Sequence, residues 1–300
     1  MYDIGIIGGG TAGLTAAIYG QRAGKQTVVF EGANYGGQIV FSPNVENYPG
    51  IASISGAQYS MNLMEQAVQL GTETKHEQVK EVRKTEEGFL VKTEEQEYLC
   101  QSIIVATGVT HRHLGLEKEE KLTGAGISYC ATCDGMFFRG KNVAVIGGGN
   151  TALQDADFLS NYCNKVYLVH RRDEFRGDAK NVNALKQKEN VEFVLNALPK
   201  SILGEQMVQG LIVADKNSGE EQQLDVDGIF VAIGHLPKNE VFADLVELDP
   251  SGFVKSGEDC ITSQAGVFAA GDCRTKEVRQ LTTAAADGAV AALAAVKYIS

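Results

Sequence analysis

The sequence contains few cysteines and no long apolar run that is free of charged residues. Its 6 cysteines in 300 residues are too sparse for a small secreted domain held together by disulfides. The apolar stretch near the C-terminus is interrupted by Asp287 and Lys297, so it does not supply the roughly 18 apolar residues of a membrane-spanning helix. The first residues also lack the basic segment of a signal peptide. We therefore expect a cytoplasmic protein of a reducing compartment, without a membrane segment.

Positive charge is scarce as well. Lys and Arg number 27 against 38 Asp and Glu, which gives a formal net charge of −11. An acidic protein of this kind repels nucleic acid and anionic membranes, so neither is expected as a partner. The hydrophobic content of 44% suffices for buried cores and excludes a disordered or collagen-like chain.

A glycine-rich loop lies between the first predicted strand, residues 4–7, and a predicted helix at residues 14–22. The loop residues of interest are Gly8, Gly10, Thr11, Ala12 and Gly13. In this G-x-G-x-x-G pattern the first glycine permits a tight turn and the second lets a pyrophosphate approach the backbone. The third lets the helix pack on the strand, so that the helix N-terminus faces the phosphates. The pattern predicts a dinucleotide site, whereas a lone pattern without this context is often only a glycine turn.

The same pattern recurs after a second predicted strand at residues 142–146. Its loop residues of interest are Gly147, Gly149, Asn150 and Thr151, with alanine in place of the third glycine. In each copy the next strand ends 23 residues after the first glycine, at Glu31 in the first copy and at His170 in the second. Two loops at matched spacing indicate two nucleotide-binding sites.

The two strand ends differ in charge, and the difference predicts different nucleotides. Glu31 is placed to accept hydrogen bonds from free ribose hydroxyls, as in FAD or NAD. The second strand is followed by a basic run that consists of His170, Arg171 and Arg172, with Arg176 close behind. Guanidinium groups bind a 2′-phosphate bidentately, so the second site suits NADPH. A solvated strand end is the alternative interpretation of the basic run, but its register with Glu31 favours the phosphate.

The remaining pattern predicts an α/β fold with two Rossmann-like nucleotide-binding domains, each with three layers (ββα). Apolar strands at residues 103–108, 229–234 and 267–272 each end in a segment that contains alanine and glycine. The first two strands close the two nucleotide-binding halves, and the third belongs to the first half again. The second half therefore looks inserted into the first. Alternating apolar and charged residues at 75–99 and 191–233 predict an antiparallel flap for each half.

A C-x-x-C pair, Cys130 and Cys133, lies just before the second glycine loop. A zinc site would need a second ligand pair, which the remaining Cys and His residues do not provide, so no metal is expected. Incidental core cysteines would not need this spacing. A redox-active dithiol fits, because a helix that begins here would lower a thiol pKa. Asp134 follows the pair; it either shuttles a proton or turns the chain together with Gly135, and the residues alone leave both roles open.

These parts together constrain the chemistry. NADPH donates two electrons as a hydride, and a disulfide accepts two electrons. A flavin takes hydride on one face and reduces a disulfide from the other, so the first site is better filled by FAD than by a second NAD. The C-terminal helix begins beside Gln280 and Leu281 and offers a positive dipole end to the negative charge of a reduced flavin.

The chain closely resembles the low-molecular-weight, bacterial-type, NADPH-dependent thioredoxin reductases. The matching motifs occur in order over almost the whole chain: GGGTAG (8–13), YGGQ (35–38), VENYPG (45–50), ATG (106–108), CATCDG (130–135), GGGNTA (147–152), HRRDEFR (170–176), AAGD (269–272) and RQ (279–280). The resemblance implies a homodimer that reduces thioredoxin. It also implies an FAD-binding domain of residues 1–112 and 237–300, interrupted by an NADPH-binding domain of residues 113–236 that carries the redox-active pair.

The resemblance also implies roles for individual residues. Cys133 would contact the flavin, Cys130 would attack the thioredoxin disulfide, and Asp134 would be the acid/base residue. Arg171, Arg172 and Arg176 would clamp the 2′-phosphate. Besides the first loop and Glu31, the implied FAD-binding residues are Gly32, Gly36, Gly37, Gln38, Ile39, Asn47, Val79, Ala106, Thr107, Gly108, Gly271, Asp272, Arg279, Gln280 and Leu281.

Other functions are compatible with parts of this pattern. A reductase for a peroxiredoxin-system partner would share the motifs but carry an additional N-terminal dithiol domain, and this chain starts at its flavin loop. Dithiol oxidases lack an intact NADPH clamp, and ferredoxin-dependent relatives lose the second glycine loop and the basic residues. A dinucleotide-sensing binding protein would leave Cys130 and Cys133 without a role.

Overall fold

The computed structural model describes residues 1–300 as two compact units. The first unit consists of Met1–Thr110 and Leu236–Ser300, and the second consists of His111–His235. The second unit is therefore an insertion in the first. None of the helices is long and apolar enough to cross a membrane.

The first unit contains a seven-stranded sheet. Numbered along the chain, its strands are β1 (Tyr2–Ile7), β2 (Thr27–Phe30), β3 (Glu73–Lys75), β4 (Val79–Thr85), β5 (Gly88–Thr93), β6 (Glu97–Val105) and β17 (Val267–Ala269). The order is β3-β2-β1-β6-β5-β4, and β17 pairs with β6 in parallel. The strands β4, β5 and β6 are antiparallel, as the alternation predicts for this segment. The buried strands β1 and β2 run parallel, which places their carboxyl ends at one edge of the sheet.

Three helices cover this sheet: α1 (Thr11–Arg22), α2 (Gly56–Gln69) and α7 (Leu281–Tyr298). Ser55 caps α2 by accepting a hydrogen bond from the backbone N–H of Gln58 at 3.1 Å. The alanine-rich α7 packs closely on α1, because a Cβ atom at Gly288 would collide with the Ala12 carbonyl. The segment Gly37–Phe41, with Glu240–Phe242 and Gly271–Cys273, forms short 3₁₀ helices.

The second unit contains a five-stranded parallel sheet. Its strands are β8 (Ile127–Ser128), β9 (Asn142–Ile146), β10 (Lys165–Val169), β11 (Val191–Val194) and β15 (Gly228–Val231), in the order β11-β10-β9-β15-β8. A separate antiparallel sheet contains β12 (Ala197–Leu203), β13 (Gly210–Asp215) and β14 (Glu221–Leu224). The predicted meander at 191–233 was therefore too long. Its first strand, β11, pairs in parallel with β10 instead, because the register of Val191 with Val166 continues the nucleotide-binding sheet.

The helices of the second unit are short. They are α3 (Glu119–Leu122), α4 (Ala131–Asp134), α5 (Asn150–Ser160) and α6 (Ala179–Leu185), with a 3₁₀ helix at Gly135–Phe138. The two crossings of the chain between the units fall in β7 (Val109–His111) and β16 (His235–Pro237), which pair as a two-stranded sheet. Each glycine loop thus joins a buried parallel strand to the start of a helix, as predicted.

Candidate active site

The glycines of the first loop have two roles: Gly8 and Gly13 allow close packing, and Gly10 leaves open space for a ligand. Gly8 has φ +112°, and a Cβ atom there would collide with the Ala106 carbonyl. A Cβ atom at Gly13 would collide with the carbonyl oxygen of Gly8. At Gly10, in contrast, the nearest atom to an added Cβ would be the Gly36 oxygen at 3.9 Å. Gly10 therefore leaves room above the N-terminus of α1, where backbone N–H groups and the helix dipole favour a phosphate.

Glu31 is held at the end of β2 by the backbone. One carboxylate oxygen accepts a hydrogen bond from the Gly9 N–H at 2.8 Å, and the other accepts from the Ala33 N–H at 2.8 Å. A carboxylate accepts about four hydrogen bonds, so each oxygen retains capacity for a ligand hydroxyl. The geometry is that expected for a carboxylate at the ribose of a dinucleotide.

A carboxyl group with one buried oxygen lies beside this loop. Asp272 lies in the 3₁₀ helix Gly271–Cys273, and its Oδ1 atom is buried without a hydrogen-bond partner in the protein. Burial raises the pKa of this group. A buried acceptor without a donor is costly, so the site fits a ligand that brings a hydroxyl or N–H to Asp272. Gly271 packs against Ala12 of α1, which brings this acceptor close to the glycine loop.

A buried ion-pair cluster fixes the position of the Asp272 segment. Asp287 accepts hydrogen bonds from the Arg274 guanidinium at 2.9 and 2.8 Å and from Lys276 Nζ at 2.8 Å. It also accepts from the backbone N–H of Gly271 at 2.9 Å. Asp287 is therefore an anchor that ties α7 to the residue directly before Asp272.

The other predicted residues of the first unit have different environments. Gly36 contacts the glycine loop, since its N–H donates to the Gly9 carbonyl at 2.7 Å. Asn47 donates to the Gln280 side chain at 3.2 Å near the start of α7. Val79 is the first residue of β4, and its side chain is buried in the apolar core. The half-buried positions among the rest are Gly37, Ile39, Thr107, Gly108, Arg279 and Leu281; Gly32 and Gln38 are exposed, and Ala106 is buried.

The glycines of the second loop have the same two roles. A Cβ atom at Gly147 would collide with the Ala232 carbonyl, but one at Gly149 would have no other atom within 4 Å. Asn150 and Thr151 begin α5, and the Asn150 Oδ1 accepts from the Asp178 N–H at 2.7 Å. The open position again lies at a helix N-terminus, which fits a second dinucleotide.

The basic residues after β10 have different environments. His170 is buried, its Nε2 lies 3.1 Å from the Glu174 carbonyl, and its ring stacks on Phe175 at 5.0 Å. Burial lowers the pKa of His170, so this residue holds the loop rather than supplying charge. Arg171, Arg172 and Arg176 are exposed, and none forms an ion pair with a carboxylate of this chain. Their guanidinium groups are thus available to an external phosphate.

Cys130 and Cys133 form a disulfide at the start of α4. Cys130 is the N-cap residue, and its carbonyl accepts from the N–H groups of Cys133 at 3.2 Å and Asp134 at 3.1 Å. The helix is a single turn continued by a 3₁₀ turn, so its dipole is weaker than the sequence suggested. Burial raises the pKa of Asp134, and a hydrogen bond from Ser128 at 2.6 Å opposes that effect.

The other four cysteines are buried free thiols: Cys100, Cys163, Cys260 and Cys273. Burial raises their pKa values, to about 11 for Cys163 and Cys273 and to about 12 for Cys100 and Cys260. Thiolates are the reactive form, so these four are chemically quiet. The disulfide pair is the redox-competent group of the chain.

Sequence reasoning missed three residues of the site. Ser128 has no motif that distinguishes it from other serines. Arg274 and Asp287 are separated by 13 residues, and Asp287 is only visible in the sequence as an interruption of an apolar stretch. An acidic residue on the buried face of a helix, with basic residues near the preceding loop, was the signal that could have found them.

Comparisons with known proteins agree over the whole chain. Residues 2–288 match the family described as pyridine nucleotide-disulphide oxidoreductase. A thioredoxin reductase of Mycolicibacterium smegmatis is 41% identical over 302 residues, covering 100% of this chain and 97% of that protein. A bifunctional thioredoxin reductase/thioredoxin of Mycobacterium leprae is 40% identical and covers 100% of this chain, which spans 66% of that protein. The crystal structure of thioredoxin reductase from Streptococcus pyogenes superimposes with a TM-score of 0.94 at 35% identity, covering 99% of this chain and 98% of the other.

Proposed function

The chain belongs to the pyridine nucleotide-disulphide oxidoreductase family, and from this premise we propose that it is a thioredoxin reductase. It uses NADPH to reduce its Cys130–Cys133 disulfide through FAD, and the resulting dithiol reduces oxidised thioredoxin. The observation that carries the proposal is the disulfide beside the half-buried carboxyl group of Asp134, in a chain with two open glycine loops. The thioredoxin reductases of M. smegmatis and S. pyogenes support the substrate.

The residues of the first unit fit FAD. Gly10 leaves room for a pyrophosphate, Glu31 retains capacity for ribose hydroxyls, and Asp272 offers a buried acceptor that has no donor in the protein. The N-terminus of α7 supplies a positive dipole end to the same unit. A bound flavin supplies a two-electron relay between a hydride donor and a disulfide.

The residues of the second unit fit NADPH rather than NADH. Gly149 leaves room for the pyrophosphate, and the exposed Arg171, Arg172 and Arg176 are free to bind the 2′-phosphate. His170 positions these arginines by stacking on Phe175. A carboxylate in place of the arginines would repel the phosphate.

The dithiol chemistry uses residues of the second unit only. Two electrons and two protons convert the disulfide to two thiols. Asp134 then accepts the proton of Cys130, and the thiolate attacks one sulfur of the thioredoxin disulfide, whose other sulfur leaves as a thiolate. Cys133 then loses its proton and attacks the mixed disulfide, which restores the Cys130–Cys133 bond, and the two thioredoxin thiolates take up the protons that Asp134 and Cys133 give up.

The surface next to the dithiol suits a protein substrate. Met136 and Phe137 lie shortly after the pair, beyond Asp134 and Gly135, and are 52% and 47% exposed. Large apolar side chains exposed together are typical of protein-binding sites. The M. leprae relative, a reductase joined to a thioredoxin, supports the same kind of partner.

A homodimer and a cytoplasmic location complete the proposal. The first unit exposes apolar side chains on two helices, such as Met61 of α2 and Leu293 of α7, which are 58% and 53% exposed. These faces are available to a second copy of the chain. Four buried free thiols are compatible with a reducing compartment.

One spectroscopic experiment tests the function. The purified protein should be yellow, and NADPH should bleach its flavin absorbance under anaerobic conditions. Oxidised thioredoxin should then restore the absorbance, with one NADPH consumed per thioredoxin disulfide. A colourless protein that fails to take up FAD contradicts the proposal. Bleaching without recovery on thioredoxin, but with recovery on another disulfide protein, assigns a different partner.

A further inference from the structure

A closed ring of hydrogen bonds connects Ser128, Cys130 and Asp134. The Cys130 N–H donates to Ser128 Oγ at 3.0 Å, and the Asp134 N–H donates to the Cys130 carbonyl at 3.1 Å. The Ser128 hydroxyl lies 2.6 Å from Asp134 Oδ2 and 3.3 Å from the Cys130 carbonyl. A hydroxyl has one proton to donate, and the shorter contact with the carboxylate takes it.

Ser128 is fixed independently of the dithiol. It is the last residue of β8 and pairs with Phe230 of β15 in the parallel sheet. Its side chain is 4% exposed, so water does not compete for its hydroxyl. The serine is therefore a rigid point from which the Asp134 carboxylate is oriented.

The hydrogen bond also controls protonation of Asp134. Burial raises the pKa of this carboxyl, and the Ser128 hydroxyl lowers it, because a donated hydrogen bond favours the carboxylate. On α5, which packs against α4, the ionisable groups are Asp155 and Asp157, and burial raises the pKa of Asp155 to about 7. Tyr162 follows that helix with its hydroxyl close to Gly135. The two causes that shift the pKa of Asp134 are burial and the hydrogen bond from Ser128.

We propose that Ser128 is a positioning residue of the dithiol, which holds the Asp134 carboxylate against the backbone of Cys130 and keeps it able to accept a proton. The inference rests on the proposed dithiol function but not on the identity of the partner. In the exchange reaction Cys130 loses its proton to Asp134, attacks the substrate disulfide and displaces a thiolate. Without the Ser128 hydroxyl, Asp134 stays protonated to a higher pH and is less available as the base.

A single-turnover reaction tests the inference without thioredoxin or flavin chemistry. The protein is reduced with dithiothreitol, desalted and mixed with the aromatic disulfide DTNB, and release of thionitrobenzoate is followed between pH 5 and 9. We expect Ser128→Ala to move the acidic limb of the rate profile upward by about one pH unit, which lowers the rate below that limb about tenfold. Ser128→Thr keeps the hydroxyl and should retain the parent profile.

The double variant separates positioning from general loss of structure. In an Asp134→Asn background, Ser128→Ala should change the profile no further, because the group through which Ser128 acts is gone. An equal effect in both backgrounds overturns the inference, as does a parent-like profile for Ser128→Ala. So does an Ala-like profile for Ser128→Thr at an unchanged melting temperature. Failure of the parent to reduce thioredoxin, with this pattern intact for DTNB, contradicts the proposed function and leaves the role of Ser128 supported.

Discussion

Asp287 and Arg274 form a two-point ion pair in which both side chains are nearly inaccessible to water. The carboxylate lies 2.9 Å from Nε and 2.8 Å from Nη2 of the guanidinium, and Arg274 is only 1% exposed. Because Asp287 also accepts from Gly271, the pair connects helix α7 to the segment that carries Asp272. Stability of the first unit and cofactor retention therefore depend on the same contact.

Asp287→Asn should destabilise the protein and weaken flavin binding. The change removes the buried carboxylate that Arg274 and Lys276 share and leaves Arg274 only the exposed Glu258 at 3.3 Å, which costs about 3 kcal/mol in the free energy of unfolding. Urea unfolding and the ratio of flavin to protein absorbance measure the two effects. The matched control is Glu247→Gln, which breaks the exposed ion pair with Lys255 and should change the free energy by less than about 1 kcal/mol.

The stabilisation that the Asp287–Arg274 pair contributes should depend on pH in a defined direction. Burial acts to raise the pKa of Asp287, but Arg274 and Lys276 outweigh it, so the pKa lies below its usual range. A lowered pKa means that the stabilisation is complete above the unfolded-state value of about 3.9 and is lost as the pH falls through the folded-state value. The stability difference between parent and Asp287→Asn should be constant near neutral pH and shrink below about pH 4. A stability difference that grows toward acidic pH would show that folding does not lower the pKa of Asp287.

Replacing Arg171 and Arg172 by alanine should weaken NADPH much more than NADH. Both side chains are exposed and without carboxylate partners, so their loss removes phosphate contacts and little else. Charge-assisted hydrogen bonds are worth about 1.5–3 kcal/mol, which corresponds to a rise of about 10- to 100-fold in KM for NADPH. Steady-state kinetics with both nucleotides measure the ratio. Lys180→Ala, an exposed basic residue on α6, is the control; an unchanged ratio in the arginine variant refutes the clamp.

The single variants Gly10→Ala and Gly149→Ala should each impair one of the two proposed nucleotide sites and spare the other. Neither position has a protein atom close to the added Cβ, so both variants, stripped of flavin, should melt at the temperature of the flavin-free parent. The methyl group would instead occupy the space assigned to a pyrophosphate. We expect Gly10→Ala to lose flavin and Gly149→Ala to keep flavin but bind NADPH at least about tenfold more weakly. Unimpaired binding in both variants would place the nucleotides elsewhere.

Cys130→Ser should split the reaction into two halves. The serine cannot attack a disulfide, so thioredoxin reduction should fall below detection. Reduction of the flavin by NADPH does not need this thiol and should proceed at the parent rate, as followed by stopped-flow absorbance. The buried Cys163→Ser is the control and should leave both halves intact. Residual thioredoxin reduction by Cys130→Ser would assign the attacking thiol to another residue.

Local patterns allowed prediction of the nucleotide-binding cores. The positions of Gly8 and Gly147 between a strand and a helix are visible in sequence, although the carbonyl groups that exclude a Cβ atom there belong to the sequence-distant Ala106 and Ala232. The assignment of β11 to an antiparallel flap was wrong, because the short alternating run Val191–Val194 looks the same whether its partner is parallel or antiparallel. The position of Ser128 beside Asp134 depends on how β8 enters the sheet, and no local signal encodes that.

Strand β17 has a consequence for how the protein is made. It completes the sheet of the first unit by pairing with β6, yet it lies after the whole of the second unit in the chain. A ribosome releases residues in order, so His111–His235 is fully emerged while the β17 side of β6 is still bare. The inserted unit is thus able to finish folding first. The first unit meanwhile keeps the short edge Ile103–Val105 of β6 unpaired, and an unpaired strand edge is prone to aggregation during translation.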